Sequence, residues 1–159
     1  MGVSGCGKST IARLLTEANG TRWLDADDFH TPEKKAKMHA GIPLTDEDRW
    51  PWLDRLNAEL HAVDAKGETV FLACSALKQS YRDRLAAGLT TVRFVYLKCP
   101  RELIRERLAQ RKNHFMPASL LDSQFAELEE PSDAVVLDGS QTPEEMVREF
   151  QRKTGGVNA

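Results

Sequence analysis

At 159 residues the chain suits one domain built around a single core. Its 22 Lys and Arg against 24 Asp and Glu leave a formal net charge of −2, so no basic field marks nucleic acid as a partner. The longest apolar runs, such as Val92–Leu97, are far too short to cross a bilayer, and nothing reads as a signal peptide; no membrane is expected as a partner. The 3 cysteines, Cys6, Cys74 and Cys99, are odd in number and lack C-x-x-C spacing, which suits reduced thiols in a cytoplasmic enzyme without a zinc site.

In chain order the first feature is Gly2-Val3-Ser4-Gly5-Cys6-Gly7-Lys8-Ser9, which fits the phosphate-binding loop G-x-x-x-x-G-K-[ST]. Its glycines let backbone N–H groups turn inward around a phosphate, and the following helix adds the positive end of its dipole. Lys8 supplies a point charge for the β- and γ-phosphates, and Ser9 offers a hydroxyl to Mg²⁺. A flexible glycine-rich turn is the plainer alternative, but the helix that the motif requires does follow. Only Met1 stands before Gly2, although such a loop should follow a buried apolar strand of about five residues. The expectation is that the first strand is truncated, because the true chain begins upstream or its start was assigned at an internal Met.

Helical and strand patterns then alternate, as in a parallel α/β sheet. Lys8 to Ala18 reads as a helix ended by Asn19-Gly20, and Thr21–Leu24 as a short strand running into Asp25. Thr31-Pro32 caps a second helix that stops at Gly41. Thr45-Asp46-Glu47-Asp48 resembles a capping box, with Pro51 suggesting that the long helix restarts there; Leu53, Leu56, Leu60 and Val63 recur at helical spacing. Thr69–Ala73 and Val92–Leu97 read as buried strands, separated by a helix from Lys78 to Ala87. Pro100 opens a helix to about Lys112, Asn113–Pro117 interrupts it, and another helix runs from Ala118 to Glu129. Ala134–Leu137 is the last strand, and Pro143 starts a terminal helix.

Several segments carry chemistry. Asp25-Ala26-Asp27 follows a strand, where α/β folds place ligands. We assign Asp27 the role of base toward an acceptor hydroxyl and Asp25 the metal side; a solvated turn is the alternative. His30 either meets a polyol acceptor or merely neighbours the Thr31 cap. Arg49, in Arg49-Trp50-Pro51-Trp52, either clamps a carboxylate or pairs with Asp46 or Asp48 beside core indoles. Ser75 follows a strand, and Lys78 and Arg82 lie one turn apart on the next helix, facing either the acceptor or solvent. Arg107 and Arg111 share a helical face ahead of Lys112-Asn113-His114-Phe115, a plausible hinge. On a lid spanning about 107–125 they would stabilise the transferring phosphoryl group; otherwise they pair with Glu102 and Glu106.

Together these segments resemble the gluconate kinase (gluconokinase) family of small phosphate-loop kinases. The resemblance rests on the loop, on Asp25-Ala26-Asp27 with His30, and on Pro43-Leu44-Thr45-Asp46-Glu47-Asp48-Arg49 with Pro51-Trp52-Leu53. Cys74-Ser75-Ala76-Leu77-Lys78 with Tyr81-Arg82-Asp83, His114-Phe115-Met116, and Ser123-Gln124-Phe125 with Leu128-Glu129 complete it. It implies a three-layer P-loop kinase fold over residues 1–159, with a sheet of parallel strands (five in the family) between helices, a lid, and a homodimer. It also implies transfer of the γ-phosphoryl group of ATP to the 6-hydroxyl of D-gluconate. Asp27, His30, Arg49, Ser75, Lys78 and Arg82 would then surround the acceptor. Gly2, Val3, Ser4, Gly5, Cys6, Gly7, Lys8, Ser9 and Thr10 would hold the phosphates and Mg²⁺, Arg107 and Arg111 would reach in from the lid, and Asp138–Gln141 would lie by the adenine. A shikimate-type kinase is a second reading, weakened because Cys74-Ser75-Ala76 replaces the glycine-rich segment expected there. A nucleotide-dependent switch protein is a third: Asp64-Ala65-Lys66-Gly67 matches D-x-x-G by letter, but it precedes a strand and no N-K-x-D segment exists.

Overall fold

The structure is a computed structural model that describes residues 1–111 and 117–157. Its helices are α1 (Lys8–Asn19), α2 (Pro32–His39), α3 (Asp46–Asp64), α4 (Gln79–Ala86), α5 (Arg101–Gln110), α6 (Ala118–Glu127) and α7 (Pro143–Thr154). The strands are β1 (Arg22–Asp25), β2 (Val70–Ala73), β3 (Val95–Lys98) and β4 (Val135–Asp138). All are parallel, and among the described residues they form two pairs, β1 with β2 and β3 with β4. The resemblance implies five strands, and the described residues form four, in two pairs.

Met1 and Gly2 are what join the halves. The Met1 amine donates to Val95 O at 2.5 Å, and Leu97 N donates to Met1 O at 3.0 Å. Gly2 N donates to Ser75 O at 3.1 Å, at the end of β2. A single residue thus stands where the expected strand would run. Buried residues flank the sheet in two groups. Val3, Ile11, Leu15, Leu97, Leu137 and Phe150 pack with α1 and α7 on one face, and Trp52, Leu53, Leu56, Tyr81 and Leu85 pack with α3 and α4 on the other. Neighbours on β2 divide between them: Phe71 joins the first group and Leu72 the second, as strand alternation requires.

Three local expectations are corrected. The long helix does not restart at Pro51: α3 begins at Asp46 and runs through the proline. A proline forfeits one N–H bond and crowds the preceding turn. Here the reciprocal Thr45–Asp48 capping box and burial of Trp52 and Leu53 hold the turn regardless. The third strand begins at Val95 rather than Val92, because the ladder with β4 opens only there. Finally, Asp27 and His30 are carried by a short 3₁₀ helix, Ala26–Phe29, and its cap; the sequence reading placed no helix there. Asp25 caps it by accepting from Asp27 N.

Candidate active site

The phosphate loop turns from Met1 directly into α1. Gly5 (φ 85°) and Gly7 (φ 99°) adopt the left-handed backbone that favours glycine. A Cβ on Gly5 would stand 3.3 Å from Ile104 and Leu108. Gly7 caps α1 without a side-chain hydrogen bond, and an α-helix leaves its first N–H groups without intrahelical partners. Lys8 Nζ donates to Val3 O at 3.0 Å, which folds its ammonium back across the loop. Ser4 N donates to Gln124 Oε1 at 2.7 Å, so α6 braces the loop from outside.

A cleft of about 430 Å³ opens beside this loop. Lys8, Ser9 and Thr10 line it from α1, Asp25, Asp27 and His30 from the β1 end, Arg49 from α3, Ser75 from the β2 end, and Arg111 from the end of α5. The sheet topology is what gathers them, since β1 and β2 are adjacent, parallel, and deliver Asp25 and Ser75 at the same end. Ser9 Oγ donates to Asp25 Oδ2 at 3.1 Å. A hydroxyl and a carboxylate at a helix N-terminus are the hard oxygen donors that Mg²⁺ accepts alongside phosphates and water, so these residues fit the ion.

Another side of the cleft is built around α3, through Arg49 and Trp52. Trp52 donates from Nε1 to Ala26 O at 2.8 Å and stacks on His30, with ring centroids 4.2 Å apart. Burial, reinforced by the positive charge of Arg49, lowers the His30 pKa to about 4, so its imidazole is neutral near pH 7. His30 Nδ1 is buried and has no hydrogen-bond partner among the described residues. Arg49 Nη1 donates to Tyr81 Oη at 2.5 Å and to Glu127 Oε1 at 3.2 Å. Burial works against the Arg49 charge, but Glu127 and Tyr81 outweigh it and the guanidinium pKa is raised. Its carboxylate partner is thus Glu127, whereas Asp48 pairs with Lys34 and Lys37. Tyr81 in turn donates to Asp46, which also accepts from Lys78 Nζ at 3.1 Å.

Three expected contacts fall elsewhere. Arg82 is 2% exposed and faces the backbone, not the cleft. It donates to Ala76 O (2.8 Å), Leu77 O (3.0 Å) and Glu129 O (2.9 Å). Ala76 has φ 45°, a strained turn for a residue with a Cβ, and Arg82 braces that turn beside Ser75. Lys78 is the N-cap residue of α4, held by Asp46 outside the cleft lining. Arg107 donates to Gly139 O at 2.7 Å and lies 3.7 Å from Cys99 Sγ, which anchors α5 to the turn after β4 rather than to the loop. Neither Glu102 nor Glu106 holds it. Of the expected lid, Lys112-Asn113-His114-Phe115 lies outside the described residues, while α6 packs Leu120 and Leu121 inward. The sequence reading gave no role to Tyr81, Gln124 or Glu127; helix periodicity shows a face but not its partner across the fold.

A family model described as an AAA domain matches residues 1–131. The thermosensitive gluconokinase of Escherichia coli (strain K12) is 46% identical over 131 residues, covering 82% of this chain and 70% of that protein. The chain belongs to the gluconokinase family. A gluconokinase crystal structure from Sinorhizobium meliloti 1021 superposes with a TM-score of 0.84 at 44% identity, over 94% of this chain and 85% of that one. An unliganded sugar kinase from Janibacter sp. HTCC2649 gives a TM-score of 0.89 at 48% identity, covering 96% of this chain and 90% of that one. The fold is accordingly that of the gluconokinases, a parallel sheet between helices with a phosphate loop for a nucleotide. No described helix is long and apolar enough to cross a membrane.

Proposed function

We propose that this chain transfers the γ-phosphoryl group of ATP to the 6-hydroxyl of D-gluconate, giving 6-phosphogluconate and ADP. The observation that carries the reading is one cleft holding a phosphate loop with Lys8, a carboxylate pair at Asp25 and Asp27, and a partly buried guanidinium at Arg49. An acyclic, anionic polyol needs several hydrogen-bonding groups and at least one cation. His30, Ser75 and Arg49 supply them, and His30 brings an unpartnered buried nitrogen.

The transfer is direct and in line. Asp27 orients the hydroxyl and takes its proton as the new oxygen–phosphorus bond forms and the bond to the ADP oxygen breaks. Lys8 and the loop N–H groups stabilise charge on the phosphate oxygens, and Arg111 joins them from the end of α5. Ser9 and Asp25 would hold Mg²⁺, which when bound neutralises phosphate charge. Arg107 acts through position, by fixing α5, and Arg82 and Lys78 keep the Ser75 turn and Asp46 in place. A homodimer in the cytoplasm completes the reading.

The test is a coupled assay of ADP release across sugar acids and shikimate, with product identified by mass. Turnover with gluconate and none with shikimate is expected. Turnover of shikimate alone, or hydrolysis of nucleotide without any acceptor product, would overturn the proposal.

A further inference from the structure

One wall of the cleft is not used by the mechanism above. Lys35, Met38 and His39 of α2 line it, at the i, i+3 and i+4 spacing of a single helical face. The adjoining face of the same helix fixes that orientation. There Lys34 and Lys37 both donate to the Asp48 carboxylate in the first turn of α3, Lys37 Nζ at 3.0 Å. Lys35 N donates to Thr31 O at 3.0 Å, so the helix that carries this lysine into the cleft starts directly after His30.

Lys35 differs from the other cations of the cleft in what surrounds it. Its side chain is half-buried, and among the described residues no carboxylate pairs with its ammonium. Lys34 and Lys37 have Asp48. Lys8 is folded across the phosphate loop, and Arg111 stands at the end of α5. Arg49 is paired with Glu127 at 3.1 Å, with side chains 14% and 21% exposed. That pair is a locally neutral unit, well suited to directional hydrogen bonds and poorly suited to supplying net positive charge. His30 supplies none either. Burial, then Arg49, then Lys35 are the largest causes that keep its ring neutral, which also sets the Lys35 charge within electrostatic reach of the imidazole stacked on Trp52. A partly desolvated ammonium without a counter-ion is unfavourable, and an anionic ligand relieves it.

We propose that Lys35 holds the carboxylate of the sugar acid, while the Arg49–Glu127 pair addresses its hydroxyls. The inference rests on the kinase reading above and deepens it, by naming the group that makes the site select acids over neutral polyols. The reacting hydroxyl and the carboxylate stand at the two ends of gluconate. The cation that reads the acid therefore belongs on a different element from Lys8, and α2 provides it. A lysine suits the task because its ammonium acts as a point charge on a flexible stem, with no need for the bidentate alignment of a guanidinium.

The experiment compares D-gluconate with D-gluconamide, which keeps every hydroxyl and replaces the carboxylate by a neutral amide. Both are assayed with the native chain, with Lys35→Met, which keeps an apolar stem, and with Lys35→Arg, which keeps the charge. The native chain should favour gluconate by at least about tenfold in KM. In Lys35→Met the KM for gluconate should rise at least about tenfold, while kcat and the KM values for gluconamide and ATP stay within about threefold. Lys35→Arg should recover most of the loss. A preference for gluconate that survives in Lys35→Met would overturn the proposal and return the carboxylate to Arg49. Equal losses with both acceptors would overturn it too, since a merely structural role gives that pattern. Turnover of neither compound by the native chain would sink the kinase reading instead. Calorimetric titration of gluconate then decides the carboxylate contact without turnover: weaker binding to Lys35→Met supports it, and binding equal to that of the native chain, or absent from both, overturns it.

Discussion

Asp27 and His30 lie three residues apart and line the same cleft, yet His30 alone is stacked on an indole and buried. Asp27 lines the cleft at the end of β1, close to the loop that would present a γ-phosphate. Asp27→Asn keeps the shape and, on the proposed mechanism, removes the base. Turnover should fall at least about 100-fold while nucleotide affinity stays within about twofold, as kinetics and a nucleotide titration would show. Wild-type turnover in that variant would remove Asp27 from the base role. His30 makes a statement about pH. Its folded pKa is lowered to about 4 from an ordinary 6.5, so the unfolded chain binds the extra proton first as pH falls. Stability from this group is whole above pH 6.5 and is lost progressively as pH drops toward 4. Urea unfolding at pH 7.5 and pH 5 should therefore show the native chain losing roughly 2 kcal/mol more across that interval than His30→Gln. Parallel losses in the two proteins would show that His30 is not held neutral.

Among the elements, the turn between β2 and α4 shows how a residue outside the cleft shapes one inside it. The family resemblance implies Arg82 beside the acceptor, whereas spacing alone shows only that it shares a helical face with Lys78. The fold instead closes the β2–α4 turn and the Glu129 carbonyl around the guanidinium. Arg82→Leu leaves those carbonyls unpaired in a dry site, and the expected cost is about 2–4 kcal/mol of stability. Denaturant titration checks this. The distinguishing readout is the KM for the sugar acid, measured well below the unfolding temperature: a large rise with stability unchanged would restore Arg82 to direct contact. The capping boxes at Thr45 and Thr142 were the most legible features of this scale. Thr142–Glu145 starts α7 by the same reciprocal bonds that start α3, and both are local.

For the whole molecule, the loop couples binding to stability, because Met1, Gly2 and Lys8 tie the two strand pairs and α1 at one point. A ligand that binds only the folded chain stabilises it by mass action, about 2.7 kcal/mol at 100 times its Kd. ATP with Mg²⁺ should accordingly raise the unfolding midpoint of the native chain by several degrees. In Lys8→Ala most of that rise should vanish, together with turnover. A full thermal shift in that variant, followed by calorimetry, would place the nucleotide elsewhere.

The phosphate loop, the alternation of helices and strands, and the place of Asp25, Asp27 and Ser75 at strand ends near the loop were readable from residue patterns, while His30 and Arg49 joined them through the family resemblance. Loop glycines, caps and strand ends are short-range signals, and a parallel sheet sends its strand ends to one side. The tertiary structure alone decided which cations line the cleft. Arg82, Lys78 and Arg107 answer to carbonyls and carboxylates far away in the chain, at Glu129, Asp46 and Gly139. It alone supplied the partners Tyr81, Gln124 and Glu127. Charge and hydrogen-bond capacity are written in a residue's type; which group satisfies them is fixed only when distant segments pack.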